Sequence, residues 1–481
     1  MWVSSAKAVT QLASWAVSLV LARLLLPADF GLVAMAWTFI GFLEQVNQLG
    51  IGAAIIQRDD LTDDDHCTLF WIGLGAGLLF FLLAVALAGS LAMFFGNERL
   101  TAIIRLLGLT IILSALNTVP FNLLTRSLAF GRRSRAEVLS VISGGLTSLA
   151  LATHGYGVMS LVFGTLTQQT VLTATIWYLA GWKPAFRCKL GRIATAFRFG
   201  LSVMMARIIW YWYSSADAII VGKLLGERFL GIYSMGMQLS TLPVQKITAI
   251  VNQVAFPVFS QLQHDLPKLR SYFLQITRYV ALITFPTMVA LVCVADPLVR
   301  FLLTDKWLPV VSILRMLCVI GMVKSVDAII PNLLMARGKG DILVKYNLAC
   351  LLVLPTAFGL GAYWGGLTGV ATAWLLAYPL LLSYLLTIGL RELDLSLADY
   401  LKNMVPAVLI ALATGAGILL YSHIDARGME QAAWLSLVAA GLAGATSGVG
   451  ALFFALPTVA AELKTLGASL KSGGKLAETH T

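Results

Sequence analysis

The sequence predicts an all-α polytopic membrane protein with about 14 transmembrane helices, and its composition, its apolar run lengths and its charge placement all support this fold class. Of the 481 residues, 59% are hydrophobic and 12% are charged, whereas soluble domains carry about 25% charged residues. The mean hydropathy is +0.85. So few charges do not cover a water-facing surface, which argues against a soluble enzyme.

Cysteine spacing and charge placement argue against disulfides, a metal site and a nucleic-acid partner. The five cysteines form no CxxC pair and have no histidine at ligand spacing, so we expect neither a disulfide framework nor a metal site. The net charge of +11 comes from basic residues in short loops between apolar runs. This placement indicates membrane topology, and we expect no nucleic-acid partner. The cysteines are Cys67, Cys188, Cys293, Cys318 and Cys350.

Apolar runs near the spanning length of ~20 residues define the fourteen helices in order. The glycines of the turns at 154–157 and 363–366 separate neighbouring helices that would otherwise fuse. The predicted helices cover residues 8–26, 30–57, 67–95, 101–125, 136–153, 156–180, 198–221, 228–259, 280–303, 308–336, 342–363, 365–390, 403–423 and 432–456.

Lysine and arginine are concentrated at one set of alternate helix ends. The cluster Arg132, Arg133 and Arg135 belongs to the rich set, whereas Arg23 and Lys223 belong to the poor set. Cytoplasmic loops of membrane proteins carry the excess of basic residues. We therefore expect both termini in the cytoplasm, in agreement with an even number of helices.

Short segments recur at consistent offsets. The pattern of Arg23 with Gly31 and Met35 returns 200 residues later as Lys223 with Gly231 and Met235. At an offset of 210, Arg105, Leu107 and Asn122 match Arg315, Leu317 and Asn332, and Asn117 falls opposite Asp327. Parallel repeats of this kind build transporters around a central cavity.

The repeats predict three parts of the chain. Residues 1–190 form an N-terminal lobe of helices one to six, and residues 191–395 form a C-terminal lobe of helices seven to twelve. Residues 396–481 supply helices thirteen and fourteen and a cytoplasmic tail. The expected body is two parallel six-helix lobes around a cavity that opens to either side of the membrane.

Five segments carry a resemblance to a known family. They are 22–36 (ARLLLPADFGLVAMA), 49–58 (LGIGAAIIQR), 217–226 (DAIIVGKLLG), 256–260 (FPVFS) and 296–307 (DPLVRFLLTDKW). Together they resemble Wzx-type polysaccharide exporters of the multidrug/oligosaccharidyl-lipid/polysaccharide superfamily. The resemblance covers most of residues 8–400.

The resemblance implies a flippase for a lipid-linked oligosaccharide, typically on an undecaprenyl pyrophosphate carrier. The cargo would move from the cytoplasmic to the outer leaflet of the bacterial cytoplasmic (inner) membrane, for surface polysaccharide or lipopolysaccharide biosynthesis. A polysaccharide polymerase and export machinery are the implied protein partners.

Intramembrane cations are candidates to bind the pyrophosphate, because charges within a span are costly and mark a pathway. Arg207 and Lys246 fit this role. Arg207, Trp210, Tyr213 and Asp217 follow spacings of three, three and four, which places them on one helix face. Aromatic faces suit sugar C–H surfaces, and a guanidinium matches phosphate oxygens. Alternatively, the aromatic residues anchor a helix end and Arg207 pairs with Asp217 or a neighbouring acid.

Lys324 and Asp327 lie three residues apart within one predicted helix. Either they neutralise each other on one helix face, or Lys324 contributes to the substrate-binding cavity and Asp327 to ion coupling. A pair without a function is more cheaply replaced by apolar residues in a membrane, which favours the cavity interpretation.

Glu44 lies in mid-span within an unusually polar patch that includes Gln45, Asn47 and Gln48. A buried carboxylate there suits the coupling of transport to Na⁺ or H⁺, with Asp217 as its counterpart in the second lobe. The alternative is that Glu44 bonds the polar face of the first helix. No cofactor other than such an ion is expected.

Two further function classes are compared with the flippase. A membrane enzyme needs catalytic groups on a sizeable external loop, which this sequence lacks, so we expect no catalytic residues. A cation-coupled multidrug antiporter of the same superfamily would prefer an acidic cavity. There are more intramembrane cations than intramembrane acids, which favours an anionic cargo. The cations are Arg207, Lys246, Arg315 and Lys324, and the acids are Glu44, Asp217 and Asp327.

Overall fold

The protein is all-helical, as predicted, throughout the part of the chain that the structure describes. The structure is a computed structural model, and it describes residues 2–48, 51–57, 61–186, 194–425 and 433–452. These residues contain α-helices and a short 3₁₀-helix, Asp305–Trp307, and no β-strand.

The first seven helices follow the predicted spans closely, except that the predicted helix 30–57 is divided into α2 and α3. Residues 49–50 between them lie outside the described part. The bounds are α1 Trp2–Leu24, α2 Pro27–Asn47, α3 Ile51–Gln57, α4 Asp63–Phe95, α5 Arg99–Arg126, α6 Phe130–Thr153 and α7 Val158–Ala180.

The later helices keep the predicted order with two further divisions and one fusion. Their bounds are α8 Ala194–Leu225, α9 Glu227–Leu262, α10 Leu266–Cys293, α11 Ala295–Leu303, α12 Val310–Asp327, α13 Ile330–Ala336, α14 Gly340–Arg391, α15 Leu397–Asp425 and α16 Ala433–Gly450.

Prolines explain both divisions. The predicted helix 280–303 is split after Cys293, and the predicted helix 308–336 is split after Asp327. Pro297 and Pro331 each stand four residues beyond the last residue of the preceding helix. Because proline lacks an N–H and its ring clashes with the carbonyl four residues earlier, neither helix continues.

The predicted turn at 363–366 is confirmed inside α14. Gly366 has φ 56° and ψ −136°, so two helices meet there at a kink. Only glycine adopts this backbone conformation without strain. The glycine turn at 154–157 likewise separates α6 from α7, with Gly157 at φ 52°.

Six helices in the described part are long and apolar enough to cross a membrane. They are Asp63–Phe95, Arg99–Arg126, Phe130–Thr153, Leu266–Cys293, Gly340–Arg391 and Leu397–Ile424. The protein is therefore a multi-pass membrane protein, whereas the full count of fourteen spans stays a prediction.

The chain packs as two compact units. Unit 1 comprises Met1–Met235, Leu302–Trp307 and Asn347–Val370, and unit 2 comprises Gly236–Phe301, Leu308–Tyr346 and Ala371–Thr481. The units are defined by which residues pack together, and their bounds do not coincide with those of the sequence repeats. The lobe boundaries expected near residues 190 and 395 stay a prediction.

Small residues bring helices together inside each unit. In unit 1, a Cβ on Gly144 of α6 would lie 2.7 Å from the Gly164 carbonyl oxygen of α7. In unit 2, a Cβ on Gly417 of α15 would lie 2.1 Å from the Ser447 hydroxyl of α16. Such approaches provide the van der Waals contact that drives helix association in lipid.

Helices α2 and α9 cross at two glycines within unit 1. A Cβ on Gly31 would lie 3.0 Å from the Gly231 nitrogen, and a Cβ on Gly231 would lie 3.1 Å from the Gly31 nitrogen. These are the two residues that the 200-residue offset matches in the sequence.

Candidate functional site

The predicted stripe on α8 is only partly on one exposed face. Trp210 is 50% exposed and Tyr213 is half-buried, so both rings are available to a ligand. Asp217 is 3% exposed and turns inward. The side chain of Arg207 lies outside the described residues, so its place in the stripe stays a prediction.

Asp217 is fixed by neutral donors from its own unit. Its Oδ2 accepts a hydrogen bond of 2.6 Å from the Tyr233 hydroxyl, and its Oδ1 accepts one of 2.7 Å from the Ala218 nitrogen. Tyr233 on α9 is 1% exposed. Sequence spacing did not reveal this partner, because it lies on another helix.

Lys246 lies on α9 in unit 2, and its side chain is exposed. It lies two residues C-terminal to Val244, a core residue that is 9% exposed. An exposed ammonium is accessible to a cargo, and the assignment of Lys246 to the pyrophosphate stays a prediction.

Lys324 and Asp327 lie together at the end of α12 with two aromatic residues that the sequence analysis missed. The Lys324 Nζ is 3.3 Å from the centroid of the Trp374 ring and 5.2 Å from that of Tyr378. The Tyr378 hydroxyl donates a hydrogen bond to Asp327 Oδ2. Trp374 and Tyr378 are four residues apart on α14, and this spacing is the sequence signal that marks a shared face.

This group of four residues, the Lys324 cluster, combines a cation, a carboxylate and two rings inside unit 2. Asp327 is 8% exposed, and its Oδ1 is buried with no hydrogen-bond partner. A ring face attracts the ammonium through its quadrupole. Lys324 and Asp327 therefore have partners on α14 in addition to their closeness on α12.

Glu44 of α2 bonds to α5. Its Oε1 accepts a hydrogen bond of 2.8 Å from the Thr110 hydroxyl of α5. Nearby on α2, Asn47 is 4% exposed and its Oδ1 is buried without a partner. The Oδ1 of Asn117 on α5 is also buried without a hydrogen-bond partner.

No group of three or more His, Cys, Asp or Glu residues suited to hold a metal ion occurs in the described ranges. Unit 1 does contain an apolar cavity of about 260 Å³. Its walls are almost free of polar atoms, so it does not suit a pyrophosphate group. Six aromatic residues line it: Phe39, Phe42, Phe94, Phe95, Tyr211 and Trp212.

The comparisons with known families and proteins agree with one another. The family model described as "Polysaccharide biosynthesis protein" matches residues 20–312. The teichuronic acid biosynthesis protein TuaB of Bacillus subtilis (strain 168) is 29% identical over 381 residues, which cover 78% of each chain. The lipopolysaccharide biosynthesis protein WzxC of Escherichia coli (strain K12) is 26% identical over 407 residues, which cover 82% of each chain.

Solved structures show the same fold at low identity. The lipid II flippase MurJ in an inward closed conformation has a TM-score of 0.71 at 15% identity, over 93% of this chain and 98% of its own. A multidrug resistance MATE family transporter in its inward-facing conformation has a TM-score of 0.65 at 17% identity, over 80% and 94%. Both flippase and antiporter share this fold, so the fold alone does not distinguish the two functions.

Proposed function

The chain belongs to the polysaccharide biosynthesis protein family, and from that premise we propose that it flips a lipid-linked oligosaccharide from the cytoplasmic to the outer leaflet. The observation that carries the proposal is the family match over residues 20–312. The relatives named for teichuronic acid and lipopolysaccharide biosynthesis support it. The carrier we propose is of the undecaprenyl pyrophosphate type, and the product serves surface polysaccharide or lipopolysaccharide biosynthesis.

The proposed architecture has fourteen transmembrane helices in two parallel six-helix lobes, followed by two C-terminal helices. The likeness to the MurJ fold supports it. The distribution of basic residues supports a multi-pass protein of the bacterial cytoplasmic membrane with both termini in the cytoplasm. Alternating opening of the lobes would expose the headgroup of the cargo to each side in turn.

We assign the pyrophosphate to the cations Arg207, Lys246 and Lys324, and the glycan to Trp210 and Tyr213. The exposure of Trp210 and Lys246 supports their share of this assignment. Positive groups placed in a water-poor cavity attract a diphosphate more strongly than they would in bulk water. The apolar tail of the cargo would stay in lipid while its headgroup crosses.

For ion coupling we assign Glu44, Asp217 and Asp327, with H⁺ or Na⁺ as the ion. The Lys324 cluster suggests how a proton would act. When Asp327 is ionised, its charge offsets the nearby ammonium, and when Asp327 binds a proton, the positive charge of Lys324 is left to attract an anion. The unpartnered Oδ1 of Asp327 is the atom that would take the proton.

We further propose that transport involves no covalent catalysis and that the flipped cargo passes to a polysaccharide polymerase and export machinery. Both statements rest on the family relationship. The proposal includes neither a metal ion nor a nucleic-acid partner.

The test is a strain that lacks this chain. We expect carrier-linked oligosaccharide to accumulate in its lipid extract while surface polysaccharide disappears, and the wild-type chain to reverse both changes. A Lys246→Ala chain should fail to restore export although it is folded and abundant. Lys345→Ala, which removes an exposed lysine from the start of α14, is the matched control and should restore export.

The same strain tests the alternative function. Unchanged carrier-linked sugar together with raised sensitivity to cationic drugs would identify a cation-coupled multidrug antiporter and would contradict the proposal. The anionic preference expected from the intramembrane cations argues against that outcome.

A further inference from the structure

Two basic residues at equivalent positions of the sequence repeat each bind the end of a helix from the other repeat. The Arg23 Nε donates a hydrogen bond of 2.9 Å to the Leu302 carbonyl oxygen. The Lys223 Nζ donates a hydrogen bond to the Phe94 carbonyl oxygen and lies 4.8 Å from the centroid of the Phe94 ring. Arg23 and Lys223 are separated by 200 residues, the offset of the repeat.

The two acceptors are also equivalent. Leu302 is the penultimate residue of α11, and Phe94 is the penultimate residue of α4. The last four carbonyls of a helix have no partner within it, and they form the negative end of the helix dipole. A cation that donates to such a carbonyl gives this acceptor a hydrogen-bond partner and also interacts favourably with the negative end of the helix dipole.

The side at Arg23 is reinforced by the segment Asp305–Trp307. The Lys306 Nζ donates a hydrogen bond of 2.6 Å to the Arg23 carbonyl oxygen, and the Trp307 Nε1 donates one of 2.8 Å to the Ala22 carbonyl oxygen. Trp307 is 0% exposed and packs edge-on against Phe30, with 5.4 Å between the ring centroids.

All these residues lie in unit 1 and at the helix ends that are poor in lysine and arginine. By the distribution of basic residues, those ends face the outside of the cell. The glycines Gly31 and Gly231 cross close by, each four residues into its helix. Residues from the two sequence repeats are thus joined within unit 1 by reciprocal bonds.

We propose that Arg23 and Lys223, with Lys306 and Trp307, are the positioning residues that keep the outer end of this transporter closed during loading from the cytoplasm. We name these four residues and their acceptors Phe94, Leu302 and Ala22 the outer latch. The inference rests on the proposed function, because a flippase has to open that end to release its cargo. Opening requires the donors to leave the helix carbonyls, and water then satisfies both.

The bonds suit a latch because three of the four donors are cations, which make charge-assisted hydrogen bonds. Each donor is a side-chain group that leaves its carbonyl when the outer end opens. A shift of the equilibrium between closed and open states follows directly from the loss of each bond. The asymmetry is a second feature, since Lys306 and Trp307 strengthen only the Arg23 side.

The experiment measures access to a buried reporter beneath the latch. Met35 is 0% exposed and packs where α2 meets Gly222 of α8. In a chain whose five cysteines are replaced by alanine, Met35→Cys is treated with a membrane-impermeant maleimide in right-side-out and inside-out membrane vesicles. We expect slow labelling from the outside in the parent chain.

The variants Arg23→Gln and Lys223→Gln should each raise outside labelling, and together they should raise it on the order of tenfold, because each loses a charge-assisted hydrogen bond. Trp307→Phe keeps an aromatic ring, although a smaller one, and removes the Nε1 donor, and it should give a smaller rise in outside labelling. Arg99→Gln, which removes an exposed basic residue at the same end of unit 1, is the matched control and should leave labelling unchanged.

Outside labelling that stays at the parent rate in folded Arg23→Gln and Lys223→Gln chains would overturn the proposal, and so would labelling that rises only from the inside. Should Arg23→Gln fail to fold, Lys223→Gln alone decides, since its side chain is exposed. The assay needs no cargo. A rise in labelling without accumulated carrier-linked sugar in the deletion strain would therefore support the latch and contradict the proposed function, and the reverse pattern would do the opposite.

Discussion

Gly31 and Gly231 meet backbone to backbone where α2 crosses α9. A Cβ on Gly31 would stand 1.7 Å from the Glu227 carbonyl oxygen, and a Cβ on Gly231 would stand 1.8 Å from the Pro27 carbonyl oxygen. No real side chain tolerates such distances, so the crossing requires glycine at both positions. The two residues are equivalent in the sequence repeat, and they also contact each other in the structure.

Substitution at this crossing should destabilise the protein. Gly31→Ala or Gly231→Ala forces two helix backbones apart, and overpacking of this kind costs about 1–3 kcal/mol. We expect a lower unfolding temperature of the purified protein in detergent. Gly75→Ala in α4 is the control, because a Cβ there meets nothing within 4 Å. If the Gly75→Ala and Gly31→Ala proteins unfolded at the same temperature, the packing argument would be contradicted.

Removal of the Lys324 charge should abolish export without unfolding the protein. Lys324→Met keeps an apolar stem against Trp374 while it removes the ammonium that lies over the ring. The lost cation–π attraction costs about 0.5–2 kcal/mol, which a folded membrane protein tolerates. We expect surface polysaccharide to disappear in a complemented deletion strain. Lys345→Met serves as the control, and normal export by the Lys324 variant would remove this residue from the site.

Substitutions at Glu44 and at Thr110 should have different effects, the first on ion coupling and the second on the stability of the protein. Glu44→Gln keeps an oxygen that accepts the Thr110 hydrogen bond and removes the charge, so we expect a folded protein whose export no longer responds to the membrane Na⁺ or H⁺ gradient. Thr110→Val removes the hydroxyl donor and leaves Oε1 of Glu44 without this hydrogen bond. The loss should cost about 1–3 kcal/mol of stability.

The control for Glu44→Gln is Glu137→Gln, because Glu137 pairs with Arg133 near the start of α6 and lies outside the proposed coupling group. Export is measured in vesicles under imposed gradients. A gradient response retained by Glu44→Gln and lost by Glu137→Gln would reverse the assignment.

Lys306 should make stability depend on pH. Burial lowers the pKa of Lys306 below its usual 10.5, and the charge of Asp29 opposes this shift in part. Because the folded pKa is the lower one, the unfolded chain binds more protons, and stability increases as the pH rises from the folded pKa toward about 10.5. The parent chain should therefore gain stability relative to Lys306→Gln between neutral pH and about pH 10.

The measurement is the unfolding midpoint of both chains over that pH range. Lys345→Gln, which removes an exposed lysine, should show no such divergence from the parent. A gap between the parent and Lys306→Gln that narrows as the pH rises would contradict the burial of the Lys306 ammonium.

The sequence by itself determined the helical class, the order of the helices and most of their bounds, because apolar run length and glycine turns are local properties. It also determined the repeat offset that the Gly31–Gly231 contact reflects. It did not place the helix ends at Cys293 and Asp327, since an apolar run continues through the prolines that interrupt the backbone hydrogen bonds.

Only the tertiary structure decided the partners of the polar groups. Thr110 for Glu44, Tyr233 for Asp217, and Trp374 with Tyr378 for the Lys324 pair all come from other helices. Helical spacing states which residues share a face, but it does not state which helix faces them. That choice depends on side-chain packing between segments far apart in the chain, and the same packing brings Arg23 and Lys223 to the helix ends that they bind.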